Sequence, residues 1–260
     1  MANIQLGEKL YEESGVKAPA GNEAEDAFDL ELYRDATSSS RAFLAVNLSL
    51  QIFFKNHPAN GGDWDFGSRQ RFLEDYKAAV YSVWDNQWDI KCTSGNLAIE
   101  TVQVYFYLKL IEGGWNWTEN YEVTVTKMPK NINPKSSTSV LNKTVTLDSN
   151  DTNGVAKKGR KIGCSGASCS VEQRGAAHEF GHMLGLRDEY PGATDPIAGW
   201  EHDGSSIMFA GETVRPRHYA IFLPFLERAF AKEAQLTSRS VEFKVDGLWN
   251  LSNSSLGTRS

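Results

Sequence analysis

The chain has 260 residues, 40% of them hydrophobic, with 27 basic and 33 acidic side chains and a formal charge of −6. That is enough chain for one sizeable core or two small ones, and it excludes wholesale disorder. The acidic balance gives no electrostatic reason to expect nucleic acid or an anionic membrane, and no window approaches about 18 uninterrupted apolar residues, so no membrane-spanning helix is expected.

Residues 1–28 are polar and acidic, with Gly15, Pro19 and Gly21, and predict a mobile lead-in. Leu44, Val46, Leu48, Leu50, Ile52 and Phe54 then alternate with mostly polar or small residues, which is the period of a strand. After a Gly/Asn/Asp loop, Phe72, Tyr76, Val80, Val83 and Trp84 recur at helical spacing and predict a packing helix. Strands follow at Val102–Leu110 and Tyr121–Val125, and a Lys/Asn/Pro/Ser-rich loop leads to another over Val140–Leu147. Ser170 and Gln173 fit a capping box for a helix running from Val171 to Met183. Gly175 and Gly181 weaken that helix by about 1 kcal/mol each relative to alanine, so they mark close approach of a neighbour. Beyond Pro191 the chain reads as loop until a helix over Tyr219–Glu233, which Pro224 kinks or divides. Val241, Phe243 and Val245 predict a last short strand, and the Ser/Asn-rich end is expected to fray. Of three cysteines, Cys164 and Cys169 are near enough for a local disulfide or stand as two thiols, and Cys92 is remote from both.

The chemistry is concentrated in His178-Glu179-Phe180-Gly181-His182-Met183-Leu184-Gly185-Leu186-Arg187-Asp188. On a helix, residues i and i+4 share a face, so His178 and His182 can offer two imidazole nitrogens to one ion. Glu179 sits beside the first ligand, where its carboxylate can reach a metal-activated water as general base. Gly185 is where the chain can leave the helix in a left-handed conformation and bring Asp188 back as third ligand. Glu189 and His218 are the alternatives for that third position, and Glu201 and His202 also have suitable chemistry. For stabilising an oxyanion the candidates are Tyr219, Tyr190 and His218, each able to donate a hydrogen bond where negative charge develops.

His-Glu-x-x-His followed by Gly185 and Asp188, then by Ser205-Ser206-Ile207-Met208-Phe209-Ala210-Gly211, resembles the metzincin zinc endopeptidases, more narrowly the snapalysin-like arrangement with Asp as third ligand. The stretch His178 to Tyr190, with Ser206-Ile207-Met208 and Val214-Arg215-Pro216-Arg217-His218-Tyr219, also resembles peptidase modules of bacterial toxins delivered by injection machines. The resemblance covers roughly residues 170–230 and departs from the commoner metzincins at Asp188 and at Phe209-Ala210, where related enzymes carry a tyrosine. It implies an α+β fold with a twisted N-terminal sheet, a packing helix, an active-site helix, and a small C-terminal lobe whose Met-turn places Met208 beneath the metal. The implied domain spans 29–250, with a sheet lobe to about 185, a C-terminal lobe from about 186, and a frayed tail over 251–260. In that family the strand nearest the cleft binds substrate as an added strand, and Val140–Asp148 is the segment expected to do so.

The function implied is hydrolysis of peptide bonds by a Zn2+ enzyme, with a peptidoglycan hydrolase or a binding protein holding a relict site as alternatives. The expected partners are a protein or peptide substrate and, for a toxin, a delivery machine or an immunity protein. Met1-Ala2-Asn3-Ile4-Gln5 lacks the regions of a secretory signal. Either the protein is cytosolic, or a signal was removed, or export uses another route; the toxin resemblance implies a protein cytoplasmic in its producer before it is exported or injected into a target cell.

Overall fold

The computed structural model describes residues 4–17, 25–57, 62–93, 97–114, 119–130, 132–158, 170–190, 203–234 and 242–247. Its first three strands are β1 (Leu6–Val16), β2 (Phe28–Asp35) and β3 (Ser38–Lys55). The alternation read from Leu44 to Phe54 becomes the central part of β3, whose 18 residues form the spine of a nine-stranded mixed sheet. Leu44, Val46, Leu48, Leu50 and Ile52 are at most 1% exposed. Each such side chain contributes about 1.5–3 kcal/mol by leaving water.

One edge of β3 pairs in parallel with β5 (Thr101–Glu112). Its other edge is shared, antiparallel with β2 over its first half and parallel with β6 (Tyr121–Thr126) over its last turns. Beyond β5 lie β4 (Ile90–Cys92) and β11 (Phe243–Val245), both antiparallel. Beyond β6 lie β8 (Thr144–Asp148), parallel, and finally β7 (Ser137–Ser139), antiparallel to β8.

Helix α1 (Phe66–Trp84) is capped by Asp65, whose carboxylate accepts from Ser68 N at 2.7 Å, and it buries Phe72, Tyr76, Val80, Val83 and Trp84 as its spacing requires. Helix α2 (Gly175–Met183) carries the two histidines. The C-terminal helix is divided into α3 (Pro216–Tyr219), a 3-10 turn over Ala220–Phe222, and α4 (Leu223–Ala234). Pro216 and Pro224 sit at the starts of α3 and α4, where a missing N–H costs little. The class is α+β, and among the described residues no helix is long and apolar enough to cross a membrane.

Four sequence expectations need correction. Residues 6–16, inside the expected lead-in, form β1, which pairs with β2 through several register shifts and is tied by Glu13 to Arg228 of α4. Its charged, weakly alternating residues hide a strand whose bulged edge resists further pairing. Ser170–Gln173 is not a capping box; it is β10, paired with β9 (Val155–Lys158), and α2 begins only at Gly175 with no side-chain cap. Val140–Leu147 is not one strand, because a turn in which Lys143 has φ +52° separates β7 from β8. In consequence the edge strand beside the expected cleft is β7, and β8 is paired on both sides. The cysteine pair Cys164 and Cys169, the loop beyond Pro191 with Glu201 and His202, and the tail 251–260 lie outside the described residues.

Two buried hydrogen bonds fasten α2 to this framework. Trp84 Nε1 donates to Ala177 O at 2.9 Å, and Tyr121 Oη donates to Met183 O at 2.8 Å. Tyr121→Phe removes the second and strands a buried carbonyl, so it is expected to cost about 1–3 kcal/mol of unfolding free energy. Denaturant unfolding of the two proteins measures that difference, and no loss of stability refutes the fastening.

Candidate metal centre

Helix α2 ends where Gly185 takes φ +88°. Gly185 N donates to His182 O at 2.9 Å and Leu186 N to Gly181 O at 3.1 Å, the paired bonds of a Schellman turn. The reversal brings Leu186 O to 2.8 Å from His182 Nδ1 and brings Asp188 against both histidines. His178 Nδ1 lies 2.7 Å from Ile207 O, in the loop that carries Met208.

A carbonyl only accepts, so each Nδ1 carries the proton and each neutral ring presents a bare Nε2. The two Nε2 atoms converge on Asp188 Oδ1 at 3.2 and 3.3 Å. Among the described residues that oxygen is buried and has no hydrogen-bond donor. Three acceptors facing one another call for a cation. Burial tends to raise the Asp188 pKa, but the two histidines outweigh it and hold the carboxyl well below its usual range. Burial likewise opposes protonation of His182, and Asp188 and Glu179 outweigh it and raise its pKa. A proton or a metal ion meets that demand, and two imidazoles with one carboxylate, each steered by a second hydrogen bond, are metal-ligand chemistry. All three ligand atoms lie within 4.8 Å of one another.

The loop beneath the histidines is held from several directions. Gln173 Nε2 donates to Ile207 O at 2.9 Å and to Gly211 O at 3.1 Å, which occupies the side chain that the sequence suggested as a cap. Both Gln173 hydrogens are thereby spent, so its 3.3 Å approach to His178 Nδ1 is a contact between donors. Arg174, the residue before α2, grips the Glu212 carboxylate through Nε at 2.7 Å and Nη2 at 2.8 Å. Met208 is 1% exposed and packs under α2 at Gly181, where a Cβ would overlap its sulfur and lie 3.0 Å from the Trp84 ring. Gly175 similarly leaves room for the Asp151 carboxylate.

The alternatives for the third ligand are committed elsewhere. Glu189 is 1% exposed, receives Arg217 Nε and Nη2 at 2.7 Å each, and accepts from His218 Nε2 at 3.2 Å. His218 Nδ1 accepts from Arg215 N at 3.0 Å, which fixes the proton on Nε2. Tyr219 is also corrected: its hydroxyl donates to Trp84 O and accepts from Gln87 N, so its one proton is committed inside the core. Tyr190 is the phenol beside Asp188. Its ring packs on Phe209 at 6.2 Å, and its pKa is raised first by burial and then by a hydrogen bond to Asp188. Glu179 is 5% exposed, and its Oε2 accepts from Thr138 Oγ1 of β7 at 2.8 Å. Sequence reasoning missed Thr138, Gln173 and Arg217, because each acts across a long separation and carries no local pattern.

Asp188→Ala is expected to weaken metal binding by well over the roughly 10–100-fold typical of losing a supporting hydrogen bond, with the fold kept. Competition against a chromogenic chelator measures it, and parent-like affinity refutes Asp188 as ligand. A pH effect follows from Asp203. Burial acts to raise its pKa, but Arg215 and Arg217 outweigh it and lower it from 3.8 to about 2. Because the folded-state pKa is depressed, this contribution is complete above about 3.8 and vanishes as pH falls through about 2. The difference in denaturation midpoint between the parent and Asp203→Asn should therefore shrink across that window; a constant difference refutes the ion pairs. No protein-family model, curated protein or solved structure matches this chain, so the reading of the centre rests on its own geometry.

Proposed function

We propose that the chain is a zinc-dependent endopeptidase of metzincin-like fold, with His178, His182 and Asp188 as ligands and Glu179 as general base. The observation that carries this reading is the convergence of three acceptor atoms beside a buried glutamate that is not one of them. A ring of ligands alone would not need Glu179. A zinc ion bound by two imidazoles and a carboxylate supplies a Lewis acid and a water of lowered pKa.

The protein's own groups then divide the work. Glu179, one residue from His178 on α2, takes the proton of the attacking water and returns it to the leaving amine. Tyr190 stands beside Asp188; with that carboxylate turned to an ion, its hydroxyl would be released to donate towards the developing oxyanion, whereas the Tyr219 proton stays committed in the core. Edge strand β7 offers main-chain groups to an extended peptide, which aligns the scissile bond along the site. The Met208 loop keeps His178 in its tautomer through Ile207 O. A toxin effector delivered into a target cell is the setting suggested by the sequence resemblance.

Glu179→Gln is expected to lower hydrolysis by at least about 100-fold while zinc stays near one per chain. Casein and purified peptidoglycan are offered separately to the zinc-loaded parent and variant. Cleavage of casein lost in Glu179→Gln supports the proposal. Cleavage of peptidoglycan alone replaces it with a cell-wall hydrolase, and silence of the zinc-loaded parent on both leaves a binding protein.

A further inference from the structure

Glu179 is hydrogen-bonded to the sheet through Thr138 of β7. Thr138 Oγ1 lies 2.8 Å from Glu179 Oε2 and 3.3 Å from the Glu179 carbonyl oxygen. A hydroxyl has one proton, and the shorter contact to the charged oxygen takes it. The threonine is stiff about χ1, and its backbone is fixed opposite Val145 in the β7–β8 ladder. The two oxygens of the carboxylate are therefore unlike: among the described residues Thr138 holds Oε2 and no hydrogen bond holds Oε1.

Resting on the peptidase reading, we propose that Thr138 is a positioning residue for the general base, fixing the Glu179 carboxylate from the same edge strand that would receive the substrate. β7 has three residues, and among the described residues its sheet neighbour is β8. A peptide paired along its other side steadies the strand and, through Thr138, the base. Substrate alignment and base alignment are thereby joined in one element. Valine has the shape of threonine without the hydroxyl, so Thr138→Val deletes the hydrogen bond and leaves the packing.

The test uses the zinc-loaded full-length parent, Thr138→Val and Thr138→Ser, with a fluorogenic peptide spanning a bond that the parent cuts in casein. Thr138→Val is expected to lower kcat by about tenfold or more. KM should stay within about twofold and zinc near one per chain, since ground-state binding is untouched. Thr138→Ser, which restores the donor, should return kcat to within about threefold of the parent. The proposal is overturned if Thr138→Val keeps the parent kcat, if serine fails to rescue, or if the loss follows loss of zinc. A zinc-loaded parent that cuts no protein removes the peptidase reading itself, an outcome distinct from an active parent indifferent to Thr138.

Discussion

The centre depends on a missing methyl group. α2 has to present His178 and His182 on one face while its opposite side meets Trp84 and Met208, and a Cβ at Gly181 would overlap the Met208 sulfur and press on the Trp84 ring. Glycine in a helix interior costs about 1 kcal/mol relative to alanine. The structure accepts that cost because the Met208 loop must approach closely enough for Ile207 O to reach His178 Nδ1 at 2.7 Å. The loop, the tautomer of His178 and the position of α2 over Trp84 are thus linked through one residue.

Polar satisfaction around the centre is uneven in an informative way. Trp84, Tyr121, Gln173 and Arg174 each find acceptors that belong to α2, to its flanks or to the loop beneath it. Asp188 Oδ1 alone among the ligand atoms is buried without a donor. Burying a carboxylate oxygen unpaired is costly, while the other ligand side chains and the groups that fasten α2 have partners. The exception falls where three acceptors meet, and a cation there converts their mutual repulsion into attraction.

Much of this could be read from the sequence, and the rest could not, for physical reasons. His178, His182, Gly185 and Asp188 are local: helix periodicity and one left-handed turn determine where they go, and the observed φ of +88° at Gly185 follows that logic. The strands β3, β5 and β6 were legible because buried faces impose a period of two. β1 was not, since its charged residues give no clear alternation. Ser170 to Gln173 has the letters of a capping box but is a strand, because Gln173 is needed across the fold at Ile207 O and Gly211 O. The choice between Tyr190 and Tyr219 was likewise tertiary. Both are phenols near the motif, and only the fold shows that one hydroxyl is spent on Trp84 while the other lies beside Asp188.

The charged cluster behind the third ligand follows from the same need for position. Glu189, Arg217, His218, Asp203 and Arg215 bury several charges in one network, and such networks are often no more stabilising than an apolar core of equal volume. What they supply is direction. A bidentate guanidinium accepts a carboxylate in few orientations, so Arg217 fixes Glu189, and Glu189 N adds a bond to Met208 O at 2.9 Å. Asp188 is the preceding residue and inherits that fixed backbone. One side of the centre is therefore set by helix geometry and the other by ion-pair geometry, and the two meet at the Met208 loop. The three acceptors are held in place by parts of the fold that do not include an ion, so binding a cation there would require little rearrangement of the three side chains.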